Sequence, residues 1–311
     1  MSSGSTWPDW ETDGREWPHR AASRFVECGG YRWHVQVSGP KKAPAFLLLH
    51  GTGAASFSWR ALMPLLAGRF RVIVPDLPCH GFTRPEGGAD LSLEGMTAAL
   101  TGLLRELQVQ PRLILGHSAG AVIGLSLVAA VRRQHAGAPQ MVLSVNGALT
   151  PIRGNRLLSP MAKALFANPL SASMFSLLAK STPLGSNLLT ATGSRIDAEG
   201  EALYRLLLGS SGHVRGALGM MASWDLERLP ALLRRLPVPL ALLAARDDPM
   251  VPAKSSESAA ALCCEASLTF SEAGGHLLHE CDPDFVLAWI EDCIRDHGTL
   301  GDHRTNGVDA A

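Results

Sequence analysis

Five short apolar runs constrain this chain more than any other feature: "AFLLLH" from Ala45, "RVIVPDLP" from Arg71, "RLILG" from Arg112, "QMVLSVNG" from Gln140 and "PLALLAARDD" from Pro239. Each is too short for a helix, and none alternates polar with apolar residues. Strands covered on both faces of a parallel sheet have this pattern. "YRWHVQVSGP" alternates from Tyr31 to Val37 and reads as a hairpin-type strand, and "ASLTFSEAGG" from Ala266 is the last strand. Helical segments separate the runs: "FSWRALMPLLAGRF", Leu91 to Leu107, Ala119 to Arg133, and Pro283 to Arg295. Such alternation predicts an α/β fold with a mostly parallel, doubly wound sheet.

The alternation breaks once. From about Ala148 to Leu229 the chain reads as helices only, in "SPMAKALFANPL", "SASMFSLLAK", "AEGEALYRLLLG" and "VRGALGMMASWDL". An all-helical cap insertion over the C-terminal edge of the sheet, where ligands bind in such folds, is the simplest reading. The expected organisation is an N-terminal arm over 1–24, core over 25–147, cap over 148–229, core over 230–297 and a frayed tail over 298–311. Trp7, Trp10 and Trp17 of the arm either pack on the domain or dock a partner.

The charge balance excludes one class of function. Lys+Arg and Asp+Glu are equal at 28 each, so no long-range field attracts nucleic acid or an anionic membrane. Leu113 to Val131 runs without a formal charge, but its glycines, His117, Ser118 and Ser126 fit a buried strand followed by a buried helix better than a membrane span. Six cysteines show neither metal spacing nor a disulfide framework, and the first residues do not resemble a secretory signal. A cytoplasmic protein without metal or other cofactor is expected.

The chemistry centres on Gly116-His117-Ser118-Ala119-Gly120, where a buried strand meets a helix. A serine on that junction sits on a strained turn that pushes its hydroxyl out at the sheet top, and only small neighbours permit the turn. The serine needs a base, and the base an orienting acid. Among 11 histidines, His276 follows the last strand behind Gly274-Gly275, with His279 as its rival. Asp248, beside Asp247 at the end of the preceding strand, is the candidate acid. The order Ser118, Asp248, His276 suits this kind of sheet. His50-Gly51-Thr52-Gly53 ends the first central strand, so the Thr52 and Ala119 N–H groups are candidate oxyanion donors. His117 and the cap residues Phe166, Met174, Phe175, Met220, Met221 and Trp224 are candidates for lining an apolar pocket, although helical spacing equally fits burial against the sheet.

"LLLHGTGAASFSWR", "VIVPDLPCHGFTRP", "GHSAG", "DDPMVP" and "GGHLLHE" resemble the α/β-hydrolase superfamily across roughly residues 25–297. "SVNGALTPI", "LLSPMAKALFANP" and "TGSRID", with the arm, resemble one branch, the magnesium-chelatase accessory hydrolases of bacteriochlorophyll biosynthesis. The ordered constellation and the apolar cap predict hydrolysis of an acyl compound with an apolar body, whereas the resemblance implies a role near magnesium insertion into protoporphyrin IX, with a tetrapyrrole as ligand or magnesium-chelatase subunits as partners. It also implies the triad and oxyanion roles for the residues named above. One departure is Cys79, where the superfamily pattern usually has glycine.

Overall fold

Successive side chains of a strand point to opposite faces, and in the central strands both sets are apolar. A computed structural model describes residues 6–130, 138–150 and 169–298. Its strands are β1 (Ser23–Cys28), β2 (Tyr31–Ser38), β3 (Ala45–Leu49), β4 (Arg71–Pro75), β5 (Arg84–Pro85), β6 (Pro111–His117), β7 (Met141–Val145), β8 (Leu240–Ala245) and β9 (Ala266–Ser271). Phe46 and Leu48 of β3 enter one core, whereas Leu47 and Leu49 enter the other. β6 repeats the division, with Leu113 and Leu115 on one side and Ile114 on the other.

The order is β1-β2-β4-β3-β6-β7-β8-β9, with β5 beside β2. Every neighbouring pair from β4 through β9 is parallel, while β1, β2 and β5 add an antiparallel flank. Helices Leu62–Ala67 and Pro283–Asp296 cover one face, and Leu93–Glu106, Ala119–Ala130 and Leu229–Arg234 cover the other. Leu62–Ala67 is shorter than the periodicity of its segment suggests. A 3₁₀ turn over Ser56–Trp59 precedes it, and Pro64 is tolerated only in its first turn. β1 begins at Ser23, so the end of the arm already belongs to the sheet.

Between β7 and β8 the described residues form helices and no strand, at Pro169–Ser181, Leu184–Thr190, Ala198–Leu208, Ser211–Ser223 and Leu229–Arg234. This helical insertion rests on the loops that leave the C-terminal ends of the parallel strands. His213 accepts from the Gly81 N–H through Nδ1 at 3.0 Å and donates to the Gly53 carbonyl through Nε2 at 3.1 Å. The arm joins it there. The Thr6 carbonyl accepts from Gly212 N–H at 2.6 Å and Ser210 Oγ at 2.9 Å, and buried Trp17 packs with Phe57, Phe82, Leu203 and Tyr204.

Candidate active site

A helix that starts directly behind a strand needs a sharp turn between them, and Ser118 supplies it. Its φ is 52°, a left-handed conformation that costs a residue other than glycine about 1–2 kcal/mol. Gly116 and Gly120 make the turn feasible. A Cβ on Gly116 would collide with the Ala121 backbone, and one on Gly120 with the Leu49 carbonyl. The Ser118 N–H donates to the Val145 carbonyl at 3.1 Å, which ties the turn to β7. Ser118 itself is half-buried. Gly51, at the end of β3, lies against His117 and Ser118, and Gly53 takes a positive φ of 77°. Among the described residues neither the Thr52 nor the Ala119 N–H has an acceptor.

Asp248 and His276 stand at the ends of β8 and β9. His276 Nδ1 and Asp248 Oδ2 are 2.8 Å apart. The other carboxylate oxygen, Oδ1, accepts from the Met250 and Val251 N–H groups at 2.7 and 3.0 Å. A ring nitrogen facing a carboxylate carries the proton, so Nε2 of neutral His276 holds the lone pair. Among the described residues Nε2 has no hydrogen-bond partner, and Ser118 Oγ makes no bond to it. Such contacts tighten when a substrate is seated.

The two other acid and base candidates have different places. Asp247 accepts from the Gly274 and Gly275 N–H groups at 3.2 and 2.9 Å and so holds the histidine loop. His279 is buried between the tilted rings of Trp59 and His117 at centroid distances of 4.5 and 4.3 Å, with Glu280 Oε1 4.0 Å from Nε2 and no hydrogen bond to either ring nitrogen among the described residues. Burial, aided by His276 and Arg60, pushes it down to about 3, so it stays neutral.

The residues expected around a pocket divide. His117 is 2% exposed and supports the site from beneath, with Nε2 donating to the His276 carbonyl at 2.8 Å. Burial, then the neighbouring His279 and His276, holds it neutral, well below the usual histidine range. It is a structural support rather than a pocket wall. Met220 is buried, with its sulfur accepting from Thr52 Oγ1 at 3.6 Å. Phe175 and Trp224 are half-buried, whereas Met174 and Met221 are 61% and 43% exposed. Phe166 lies outside the described residues. Cys79 has φ 61°, a left-handed conformation that glycine adopts without strain, and Gly216 of the insertion packs directly on it.

Sequence reasoning missed three supports. Asn146 donates through Nδ2 to the Gly275 and His276 carbonyls at 2.9 and 3.0 Å and accepts from Ala245 N–H at 2.8 Å, joining β8 to the histidine loop. Ser194 Oγ and the Thr192 carbonyl reach the same loop from the insertion. Beneath it lies Glu280, which pairs with Arg60 and accepts from Tyr204 Oη at 2.8 Å. Burial raises the Glu280 carboxyl to about 7 against the pull of Arg60.

The chain belongs to the alpha/beta hydrolase family, whose sequence profile matches residues 46–289. It is 38% identical to the magnesium-chelatase 30 kDa subunit of Rhodobacter capsulatus over 281 residues, 88% of this chain and 96% of that protein. Among solved structures, a hydrolase from Pseudomonas aeruginosa superposes with a TM-score of 0.70 at 20% identity, covering 90% of this chain and 98% of that one. An esterase from Thermogutta terrifontis gives 0.69 at 17% identity, over 88% and 98%. At those identities the structural matches speak for the fold alone. Among the described residues no helix is long and apolar enough to cross a membrane. Nor does any group of three or more His, Cys, Asp and Glu there form a metal site.

Proposed function

We propose that this chain is a serine hydrolase for an ester or related acyl compound with an apolar body, serving magnesium insertion into protoporphyrin IX in bacteriochlorophyll biosynthesis. One observation carries the chemistry: His276 Nδ1 is committed to Asp248 at 2.8 Å, which leaves the Nε2 lone pair as a base at the end of the sheet that bears the Ser118 turn. Ser118 Oγ attacks the acyl carbon as His276 Nε2 takes its proton, and the Thr52 and Ala119 N–H groups hold the oxyanion. Collapse expels the alcohol or thiol, which leaves with that proton. Water then repeats the attack on the acyl-serine and frees the acid.

The biological placement rests on the 38% identity to a protein named as a magnesium-chelatase subunit. Chelatase subunits are the partners this reading requires, and the cytoplasm the compartment, where six unpaired cysteines stay reduced. The same identity favours a second reading, a tetrapyrrole- or chelatase-binding accessory that keeps the scaffold without turnover. Fluorophosphonate labelling and complementation of a deletion strain separate the two. The hydrolase reading expects labelled wild type, unlabelled Ser118→Ala and no recovery of magnesium tetrapyrrole with Ser118→Ala. Full recovery by Ser118→Ala would establish the accessory reading instead.

A further inference from the structure

The loop that carries His276 has little stiffness of its own. Gly274 and Gly275 both adopt positive φ, 123° and 62°, in a region of backbone that glycine crosses freely. Its position is set by what its polar groups bond, and these divide between two bodies. From the sheet, Asp247 accepts from the Gly274 and Gly275 N–H groups, while Asn146 and His117 donate to the Gly275 and His276 carbonyls.

The other contacts come from the helical insertion. The His276 N–H donates to the Thr192 carbonyl at 2.8 Å. Ser194 Oγ donates to the Gly274 carbonyl at 2.8 Å and accepts from the Leu277 N–H at 2.7 Å, bracing the loop on both sides of His276. Gly193 fits between the loops of the base and the acid. A Cβ on Gly275 would lie 2.5 Å from the Gly193 carbonyl carbon, and one on Gly193 3.0 Å from Pro249 Cδ. Short bonds inside the segment fix its shape. Thr192 Oγ1 donates to the Leu189 carbonyl at 2.6 Å and accepts from the Ser194 N–H at 3.3 Å. The four N–H groups from Gly274 to Leu277 are thus shared equally, two to Asp247 and two to the insertion.

We infer that Thr192-Gly193-Ser194 is a positioning clamp that aligns His276 only when the helical insertion is seated on the sheet, with Ser194 as its key side chain. This rests on the reading of His276 as the general base. Because the insertion holds the base by its backbone, a ligand or chelatase subunit that shifts the insertion also shifts the imidazole, and regulation of the site follows from these contacts. A misalignment of about 1 Å costs on the order of a hundredfold in rate.

The test uses the full chain, p-nitrophenyl acetate hydrolysis, and proton NMR of the Nδ1–H shared with Asp248. Ser194→Ala is expected to lower kcat by about 10- to 100-fold with KM within about twofold, and to broaden the His276 Nδ1–H resonance through exchange. Ser194→Thr, which keeps the hydroxyl, is expected to recover both. The Nδ1–H of His34, paired to Asp76 at 2.8 Å away from the clamp, reports that the variant is folded. An Ala variant with unchanged kcat and a sharp His276 resonance would overturn the clamp. So would a fall in kcat that leaves the resonance sharp and is not recovered by Thr. If wild type hydrolyses nothing and resists fluorophosphonate, yet Ser194→Ala still broadens the resonance, the hydrolase reading falls and the clamp stands.

Discussion

Two histidine–aspartate pairs in this molecule share the same Nδ1···Oδ2 separation of 2.8 Å, His276–Asp248 at the sheet top and His34–Asp76 beneath the arm. The second even has its serine, with Ser23 Oγ 2.9 Å from His34 Nε2. By bonded geometry alone, Ser23–His34–Asp76 is the more complete Ser–His–Asp chain. Its imidazole and carboxylate are enclosed, however, although Ser23 itself is half-buried. His34 and Asp76 are both 0% exposed, and the rings of Trp10, Trp17, Phe25 and Phe82 surround the imidazole. The same three residue types therefore tie an arm to a sheet in one place and form a candidate active site in the other. What differs is access, a strained nucleophile turn and unbonded N–H groups beside it, so function must be argued from those features.

The largest expected contrast comes from replacing each aspartate by asparagine. Asp248 takes both backbone N–H donors on Oδ1 and leaves Oδ2 to His276. An asparagine there keeps its oxygen on the two amides and turns its NH₂ towards Nδ1. The ring proton is then forced onto Nε2, where it blocks the base. Esterase kcat is expected to fall about 10⁴-fold with little change in the melting temperature. Asp76 takes a backbone donor on each oxygen, Ser56 on Oδ1 at 2.7 Å and Phe82 on Oδ2 at 2.9 Å. Either orientation of an asparagine sets NH₂ against an N–H. Asp76→Asn is expected to lose about 3 kcal/mol in urea unfolding while the folded fraction keeps its rate. A large rate loss at normal stability in Asp76→Asn would break the comparison.

The contrast also marks where the sequence was readable. β3, β4, β6, β7 and β8 announced themselves because both faces of each strand are buried, which leaves unbroken apolar runs. The Ser118 turn was readable because close backbone approach admits only glycine at 116 and 120. β1 was not, since its pattern in "SRFVEC" is half-exposed and its partner is the adjoining β2. The role of the clamp was not legible for a different reason, although "TGSRID", which contains it, stood out as a resemblance. Thr192 and Ser194 are small polar residues in a loop, with no periodicity to betray them, and they meet His276 only through tertiary folding. His34 and Asp76 lie 42 positions apart, so nothing local pairs them. His117 was misplaced because a residue next to a nucleophile suggests a pocket wall, whereas the strand alternation turns its side chain inward beneath the loop.

A second, smaller contrast lies in acid. Burial alone would raise the Asp76 carboxyl, but His34, with His50 and the Phe82 N–H, outweighs it and holds the group at about 2, against an ordinary 3.8. The stability it contributes is present above the unfolded value and is lost as pH falls through about 2. That loss is on the order of 2 kcal/mol between about pH 4 and pH 2. Urea midpoints measured down this range are expected to drop steeply for wild type and less steeply for Asp76→Asn. Equal slopes would mean that this carboxylate is not what the acid limb titrates.

The smallest effect is the most pointed. Ser23 Oγ donates to His34 Nε2 and accepts from Gln36 Nε2 at 3.3 Å, so Ser23→Ala removes two bonds from a half-buried strand residue that water can reach. A loss of about 1 kcal/mol is expected. Fluorophosphonate labelling should remain at the wild-type level, because Ser23 lies on extended backbone without the left-handed turn of Ser118 and its histidine is fully enclosed. Labelling that fell in Ser23→Ala would place a reactive serine under the arm. Unchanged labelling, beside its loss in Ser118→Ala, would show that an intact Ser–His–Asp hydrogen-bond chain is neither sufficient for reactivity here nor required in the resting site.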